Sequence, residues 1–342
     1  MRAPNRRYAA QTLFRVAFPT LTVPRYLAGH NDCGKDKNVR PIAPGVGESV
    51  MLQALQRLFG FDPIEPEPAD GKVTLADVLR RDWFEQWYQP KIELRSKRLV
   101  GAEALVRARR PDGSMISPGA FLPGAAEADM LALTERVILT ALRDFEDFAA
   151  QGAAMKLSVN VPATAFVKLP IAQILREERP DDAAWPGLIL EVTEDEVMHD
   201  LKIAKEVADE LRAFHCSLAL DDFGAGYSSL ARLRQLPFSE LKIDRSYVTN
   251  CHQDKFNAGL CETIVELAKR FDLKTVAEGI ETTHESHKLQ GIGCDIGQGF
   301  LFAKPMAKER LIALLGRRMA GTSKAKAKSS APNLLRGMIA AK

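Results

Sequence analysis

The sequence predicts an α/β fold, a modified TIM (β/α)8 barrel with the first strand antiparallel. Three observations predict it. Eight short apolar runs alternate with amphipathic segments between residues 73 and 317, which is the pattern of repeated strand-helix units. Only a short link centred on residues 95–98 joins the first two runs, too few residues for the crossover that parallel neighbours need, so those two strands are expected to pair antiparallel. Polar and charged side chains end most of the runs, and the C-terminal strand ends of a barrel converge on one mouth.

In chain order the expected strands are 87–92, 100–107, 155–161, 188–193, 217–221, 240–243, 274–277 and 296–300. Each combines β-branched or other apolar residues with flanking polar or turn-forming ones. Between them, 131–150, 201–214 and 259–271 carry apolar residues three and four apart, the spacing of a helix with one buried face.

The strand ends carry the chemistry. Glu103 stands in GAEALVR, Asn160 in LSVNVP, Glu191 in LILEVTE, Asp221 and Asp222 in LALDDFGAGYSS, Lys242 in LKIDR and Glu278 in VAEGIE. One acid after a strand is ordinarily a helix cap or a surface residue; the repetition around one barrel mouth points to a site. Carboxylate and amide oxygens are hard ligands suited to Mg2+ or Mn2+. Adjacent Asp221 and Asp222 suit two metals about 4 Å apart, the spacing used in phosphoryl transfer. Lys242 would be the cation in this anionic cluster, either orienting a nucleophile, neutralising phosphate or forming a barrel salt bridge. A Schiff-base role for it is disfavoured, because neighbouring carboxylates keep a lysine protonated. Gly224 and Gly226 follow the two aspartates and suit a movable loop, which Glu194 is positioned to brace. His284 and His287 read as surface helix residues, and the His199-Asp200 dipeptide lacks the second histidine cluster that an HD-type metal site needs.

These motifs, in the order YQPKI, EALVR, SVNVP, EVTE, DDFGAGYSS, LKID, AEGIE, GQGFLF and KP, resemble the EAL-domain family of bacterial cyclic di-GMP phosphodiesterases. The naming triplet stands as Glu103, Ala104 and Leu105. The resemblance implies hydrolysis of cyclic di-GMP to linear pGpG with two Mg2+ or Mn2+ ions per site. It implies that Glu103, Asn160, Glu191, Asp221 and Asp222 hold metal, that Glu278 acts as general base or holds the catalytic water, and that Lys242 orients that water. Gln89, Leu105, Arg107, Asp244, Glu281 and Gln298 would meet the substrate, Glu194 would brace the loop, and a homodimer is the implied form. The chain departs from the family's frequent pattern at Ala108, where tryptophan is common, and at Ile296, where tyrosine is. The rival reading from another class is a catalytically silent cyclic di-GMP receptor; such receptors lack ligands, and every ligand position here holds the expected residue type.

The 342 residues are 46 % hydrophobic, enough for a large core, and the formal charge is +3. Residues 317–342 hold seven basic residues and no acid, leaving 40 basic against 44 acidic residues before them. Cys33, Cys216, Cys251, Cys261 and Cys294 are odd in number and lack a CxxC pair, which disfavours a disulfide framework and a zinc-thiolate site. A cytoplasmic location is expected. Arg15 interrupts the apolar stretch 8–24, which is shorter than the roughly 18 residues of a membrane span. Residues 1–72 read as a leader and linker with no identifiable domain and one short helix at 49–59, residues 73–317 as the EAL phosphodiesterase domain, and residues 318–342 as a basic disordered tail with a short helix at 333–341. No GG[DE]EF segment occurs, no specific nucleic-acid binding is expected, and nothing in the ends names a regulator.

Overall fold

The computed structural model of the chain describes residues 72–193, 201–223 and 237–315. The expected helices at 49–59 and 333–341, Glu194, the His199-Asp200 dipeptide and the loop around Gly224 and Gly226 lie outside the described residues.

Ten strands form one sheet: β1 Phe84–Glu93, β2 Leu99–Arg109, β3 Met115–Ile116, β4 Lys156–Asn160, β5 Leu188–Thr193, β6 Ser217–Phe223, β7 Phe238–Ile243, β8 Lys274–Ala277, β9 Ile296–Gly297 and β10 Met306–Ala307. Eight of them close into a barrel in the order β1, β2, β4, β5, β6, β7, β8, β9 and back to β1. β1 is antiparallel to both of its barrel neighbours, whereas β2, β4, β5, β6, β7, β8 and β9 run parallel. The short β1–β2 turn explains the exception: Lys97 takes a positive φ of 56°, its N–H donates to the Glu93 carbonyl at 2.8 Å and the Glu93 N–H to the Arg98 carbonyl at 2.9 Å. Such a hairpin can only reverse the chain.

Two boundaries differ from the expected ones in an informative way. The last barrel strand stops at Gly297 rather than continuing to residue 300, because a turn follows in which the Phe302 and Ala303 N–H groups donate to the Gly299 carbonyl at 3.0 and 3.1 Å. β6 runs past Asp221 to Phe223, with a register shift against β7 between Leu220 and Phe223.

The parallel strands are buried on both faces, which is why they read as nearly continuous apolar runs. Alternate residues divide between the faces. Leu157, Val159, Leu188, Leu190, Val192, Leu218, Leu220, Leu241 and Ile243 join the hydrophobic core shared with the helices. The outer layer is led by α1 Glu127–Ala150, whose Leu133, Val137, Ile138, Ala141, Leu142, Phe145 and Phe148 lie on one buried face. Tyr88 on β1 reaches across this layer to donate to Asp144 at 2.6 Å, and Lys308, opening the helical residues 308–315, donates to the same carboxylate at 2.9 Å. The residues of opposite parity, including Ser158, Asn160, Glu191, Asp221, Glu240 and Lys242, are buried but polar. The inside of this barrel is therefore a charged array.

Candidate active site

The register explains how distant residues meet. Gln89 pairs with Glu103 and Trp87 with Leu105 across β1 and β2, Asn160 pairs with Glu191, and Thr193 with Asp221. Paired residues share a face, so the polar ends of successive strands line one surface at the mouth.

Lys242 occupies the middle. Its side chain is 1 % exposed, and its Nζ lies 2.6 Å from Glu191 Oε2, 3.0 Å from Asp221 Oδ2, 2.6 Å from Glu278 Oε1 and 3.9 Å from Glu103 Oε1. The Glu278 contact is an ion pair off the angle of a hydrogen bond. Glu103 accepts from Asn160 Nδ2 at 2.9 Å and from Gln298 Nε2 at 2.5 Å. Gln298 Nε2 also donates to Gln89 Oε1 at 3.0 Å, and Gln89 Nε2 to the Ala303 carbonyl at 3.1 Å. Asp222 has a positive φ of 57°, which breaks the alternation expected of two neighbouring strand residues and leaves both aspartates buried at the strand end.

The structure thus gathers Gln89, Glu103, Asn160, Glu191, Asp221, Lys242, Glu278 and Gln298 into one network. Leu105 and Arg107 follow Glu103 on the same face of β2, closer to the mouth. Leu105 is buried outside the hydrophobic core, and the Arg107 guanidinium lies 5.7 Å from the centre of the Trp87 ring. Asp244 and Glu281 sit at the rim. Asp244 caps a short helix, α2 Arg245–Val248, by accepting from the Ser246 N–H at 3.0 Å; exposed Glu281 pairs with Arg245 at 2.5 Å. His284 and His287 are exposed on α3 Thr283–Ile292, as expected.

Sequence reading missed a second layer beneath the mouth. Lys91 on β1, also 2 % exposed, donates to Ser158 Oγ at 2.6 Å, Glu191 Oε1 at 2.7 Å and Glu240 Oε2 at 3.3 Å. The signal was available in the strand period, since Lys91 lies two residues beyond Gln89 and so shares its face.

Charge sets the chemistry of this array. Glu103, Glu191, Asp221, Asp222, Glu240 and Glu278 are six carboxyl groups beside the ammonium groups of Lys91 and Lys242, so acidic groups outnumber basic ones in the array. Burial would raise the Glu191 carboxyl, but Lys242 and Lys91 outweigh it and bring its pKa down to about 2. The same lysine cannot serve every carboxylate. Burial pushes Asp221 up to about 6, Lys242 opposes the shift, and the Glu191 and Glu103 charges add to it. Glu278 is pushed well above the usual carboxylate range by burial, again against Lys242. Burial works against the Lys242 ammonium, yet the Asp221, Glu103 and Glu191 charges hold its pKa well above the usual lysine range.

A hard divalent cation fits these donors. Asn160 Oδ1 and Gln298 Oε1 are buried with no hydrogen-bond partner among the described residues, and an orphaned acceptor in an anionic cleft is suited to metal rather than to another carboxylate. Among the described residues, no three His, Cys, Asp or Glu side chains already share a coordination geometry; Lys242 stands among them. A cavity of about 220 Å3 lined by Ala208, Leu211, Cys216, Leu218 and Phe238 lies at the opposite end of β6 and β7 and takes no part in the array.

The chain is similar to known proteins. The sequence model of the EAL domain matches residues 72–305. MucR of Pseudomonas aeruginosa, a bifunctional diguanylate cyclase/cyclic di-GMP phosphodiesterase, is 36 % identical over 242 residues, covering 70 % of this chain and 35 % of MucR. RocR of the same organism, a cyclic di-GMP phosphodiesterase, is 31 % identical over 244 residues, 70 % of this chain and 62 % of RocR. The chain therefore spans about a third of MucR and under two thirds of RocR. The solved MucR phosphodiesterase in complex with c-di-GMP superposes with a TM-score of 0.63 at 36 % identity, covering 69 % of this chain and 97 % of that one. The manganese/cy-diGMP complex of Klebsiella pneumoniae BlrP1 gives 0.58 at 27 % identity, covering 66 % and 57 %. With barrel, antiparallel first strand and ordered motifs all in agreement, the chain belongs to the EAL domain family.

Proposed function

We propose that this chain is a metal-dependent phosphodiesterase that hydrolyses cyclic di-GMP to linear pGpG, lowering a bacterial second messenger. The observation that carries the reading is the array of six buried or partly buried carboxyl groups with two ammonium partners in and beneath a barrel mouth, in a family whose relatives bear that activity in their names. Glu103, Asn160, Glu191, Asp221 and Asp222 would hold two Mg2+ or Mn2+ ions. When bound, the ions supply Lewis acidity, which activates the attacking water and offsets phosphate charge. Lys242 holds the water's orientation, Glu278 accepts its proton or fixes its position, and Glu103 is kept in place by Asn160 and Gln298. Arg107 and Gln89 face the sugar-phosphate ring, Arg107 offering a planar fork to a phosphate. Leu105, Asp244, Glu281 and Gln298 complete the substrate surface, Glu194 braces the loop after Asp222, and the working form is a homodimer in the cytoplasm. No helix among the described residues is long and apolar enough to cross a membrane.

The test is to incubate the purified chain with cyclic di-GMP and Mg2+ or Mn2+ and separate the nucleotides. Linear pGpG is the expected product, and Glu103→Ala is expected to abolish its formation by removing a carboxylate from the metal site. Intact substrate with retained binding would support the silent-receptor reading instead; activity persisting in Glu103→Ala would overturn the site.

A further inference from the structure

We infer that Lys91 is a positioning residue for the metal site, fixing the carboxylate of Glu191 from beneath so that one oxygen alone faces the mouth. The inference rests on Glu191 being a metal ligand and goes beyond that reading, since Lys91 touches neither mouth nor substrate surface. Glu191 is fully buried and its two oxygens are divided: Oε1 takes a hydrogen bond from Lys91 at 2.7 Å, and Oε2 takes one from Lys242 at 2.6 Å. With one lysine on each oxygen, the carboxylate cannot rotate without breaking a charge-assisted hydrogen bond in the buried interior.

The surroundings are shaped for this contact. Beside Lys91 on β2 stands Gly101, where an added Cβ would lie 2.8 Å from the Lys156 carbonyl oxygen and 3.9 Å from Lys91 Cδ. On the row that carries Glu191 and Glu240, the residue between them is Ala219, paired with both and fully buried. A side chain at 101 would meet the Lys156 carbonyl oxygen, so the glycine keeps β2 and β4 close together beside Lys91. Ser158 at 2.6 Å and Glu240 at 3.3 Å hold the other protons of the ammonium, so its position is set from three further strands, β4, β5 and β7. Glu240, at 3.3 Å against 2.7 Å for Glu191, is the second carboxylate beside the Lys91 ammonium.

The experiment uses Mn2+ alone as the probe, with bound metal measured by loss of the free Mn2+ resonance signal, on the full chain. Lys91→Met leaves Glu240 buried and unpaired, so the decisive variant is Lys91→Met with Glu240→Gln, which removes the charge pair together; Glu240→Gln alone is the control that keeps Lys91 on Glu191 and Ser158. The double variant is expected to bind Mn2+ about tenfold or more weakly, the size of effect seen when a group orienting a metal ligand is lost, while Glu240→Gln alone changes affinity by less than about twofold on the same scale. A double variant that folds and binds Mn2+ like the wild type overturns the inference, since a purely structural lysine would lower the melting temperature and leave metal affinity unchanged. Equal weakening by Glu240→Gln alone overturns it too. Wild-type protein that binds Mn2+ yet leaves cyclic di-GMP intact overturns the proposed activity without touching the role of Lys91; wild-type protein that binds no Mn2+ overturns both.

Discussion

Glu285 shows how much a single buried side chain can organise. Its carboxylate accepts the N–H groups of Asn250 at 2.9 Å, Glu281 at 3.0 Å and Thr282 at 2.9 Å, tying the segment after Glu278 to the turn before the next helix. Burial would raise its pKa, but the Asn250, Thr282 and Glu281 backbone donors outweigh that and hold it below the usual glutamate value. A folded pKa below the unfolded one means stabilisation that is present above about pH 4.3 and lost as pH falls through the folded value. Glu285→Ala is expected to cost about 3 kcal/mol by orphaning three amides. Denaturant unfolding from pH 3 to 7 checks both points: the wild type should lose stability toward acid more steeply than the variant, and parallel curves would sink the assignment. Lys242 and Lys91 follow a different logic. Each is a buried ammonium among several carboxylates, so its contacts set orientation within the site more than they set fold stability.

At the scale of elements, the β2–β4 ladder is the tightest constraint on the site. Glu103 reaches the mouth from β2 and Asn160 from β4, and the two strands are in register with Gly101 opposite Lys156. Because an added Cβ at Gly101 would meet the Lys156 backbone oxygen at 2.8 Å, Gly101→Ala must spread the ladder or twist β2. The expected cost is about 1–3 kcal/mol, as for overpacking elsewhere, together with weaker Asn160–Glu103 coupling. Thermal unfolding and turnover measured side by side check this; an unchanged melting temperature would mean the ladder yields without strain. The helix after Glu281 is held by another local device, a capping box in which Thr282 and Glu285 satisfy each other's backbone N–H groups, legible as T-x-x-E in the sequence.

For the whole molecule, six buried or partly buried carboxyl groups stand around two lysines in and beneath the barrel mouth. If they hold cations as proposed, metal binding is linked to folding. Mn2+ at about one hundred times its dissociation constant is expected to stabilise the chain by about 2.7 kcal/mol, raising the melting temperature, and chelation with EDTA should reverse it. A melting temperature indifferent to Mn2+ across that range would argue against the cation reading. Sedimentation at several concentrations, with and without nucleotide, tests the expected homodimer.

The sequence by itself determined the architecture and most of the residues that the structure gathers at the mouth. Strand and helix periods are local properties, readable from neighbours, and the short link 95–98 was enough to predict an antiparallel first strand. The acidic strand ends identified Glu103, Asn160, Glu191, Asp221, Lys242 and Glu278, because in a closed barrel direction alone brings such ends together. Tertiary structure decided what crosses the barrel. Lys91 meets Ser158, Glu191 and Glu240 over separations of 67, 100 and 149 residues, and no local pattern encodes which inward side chains share a level. That depends on register, which exists only once the strands have closed on one another.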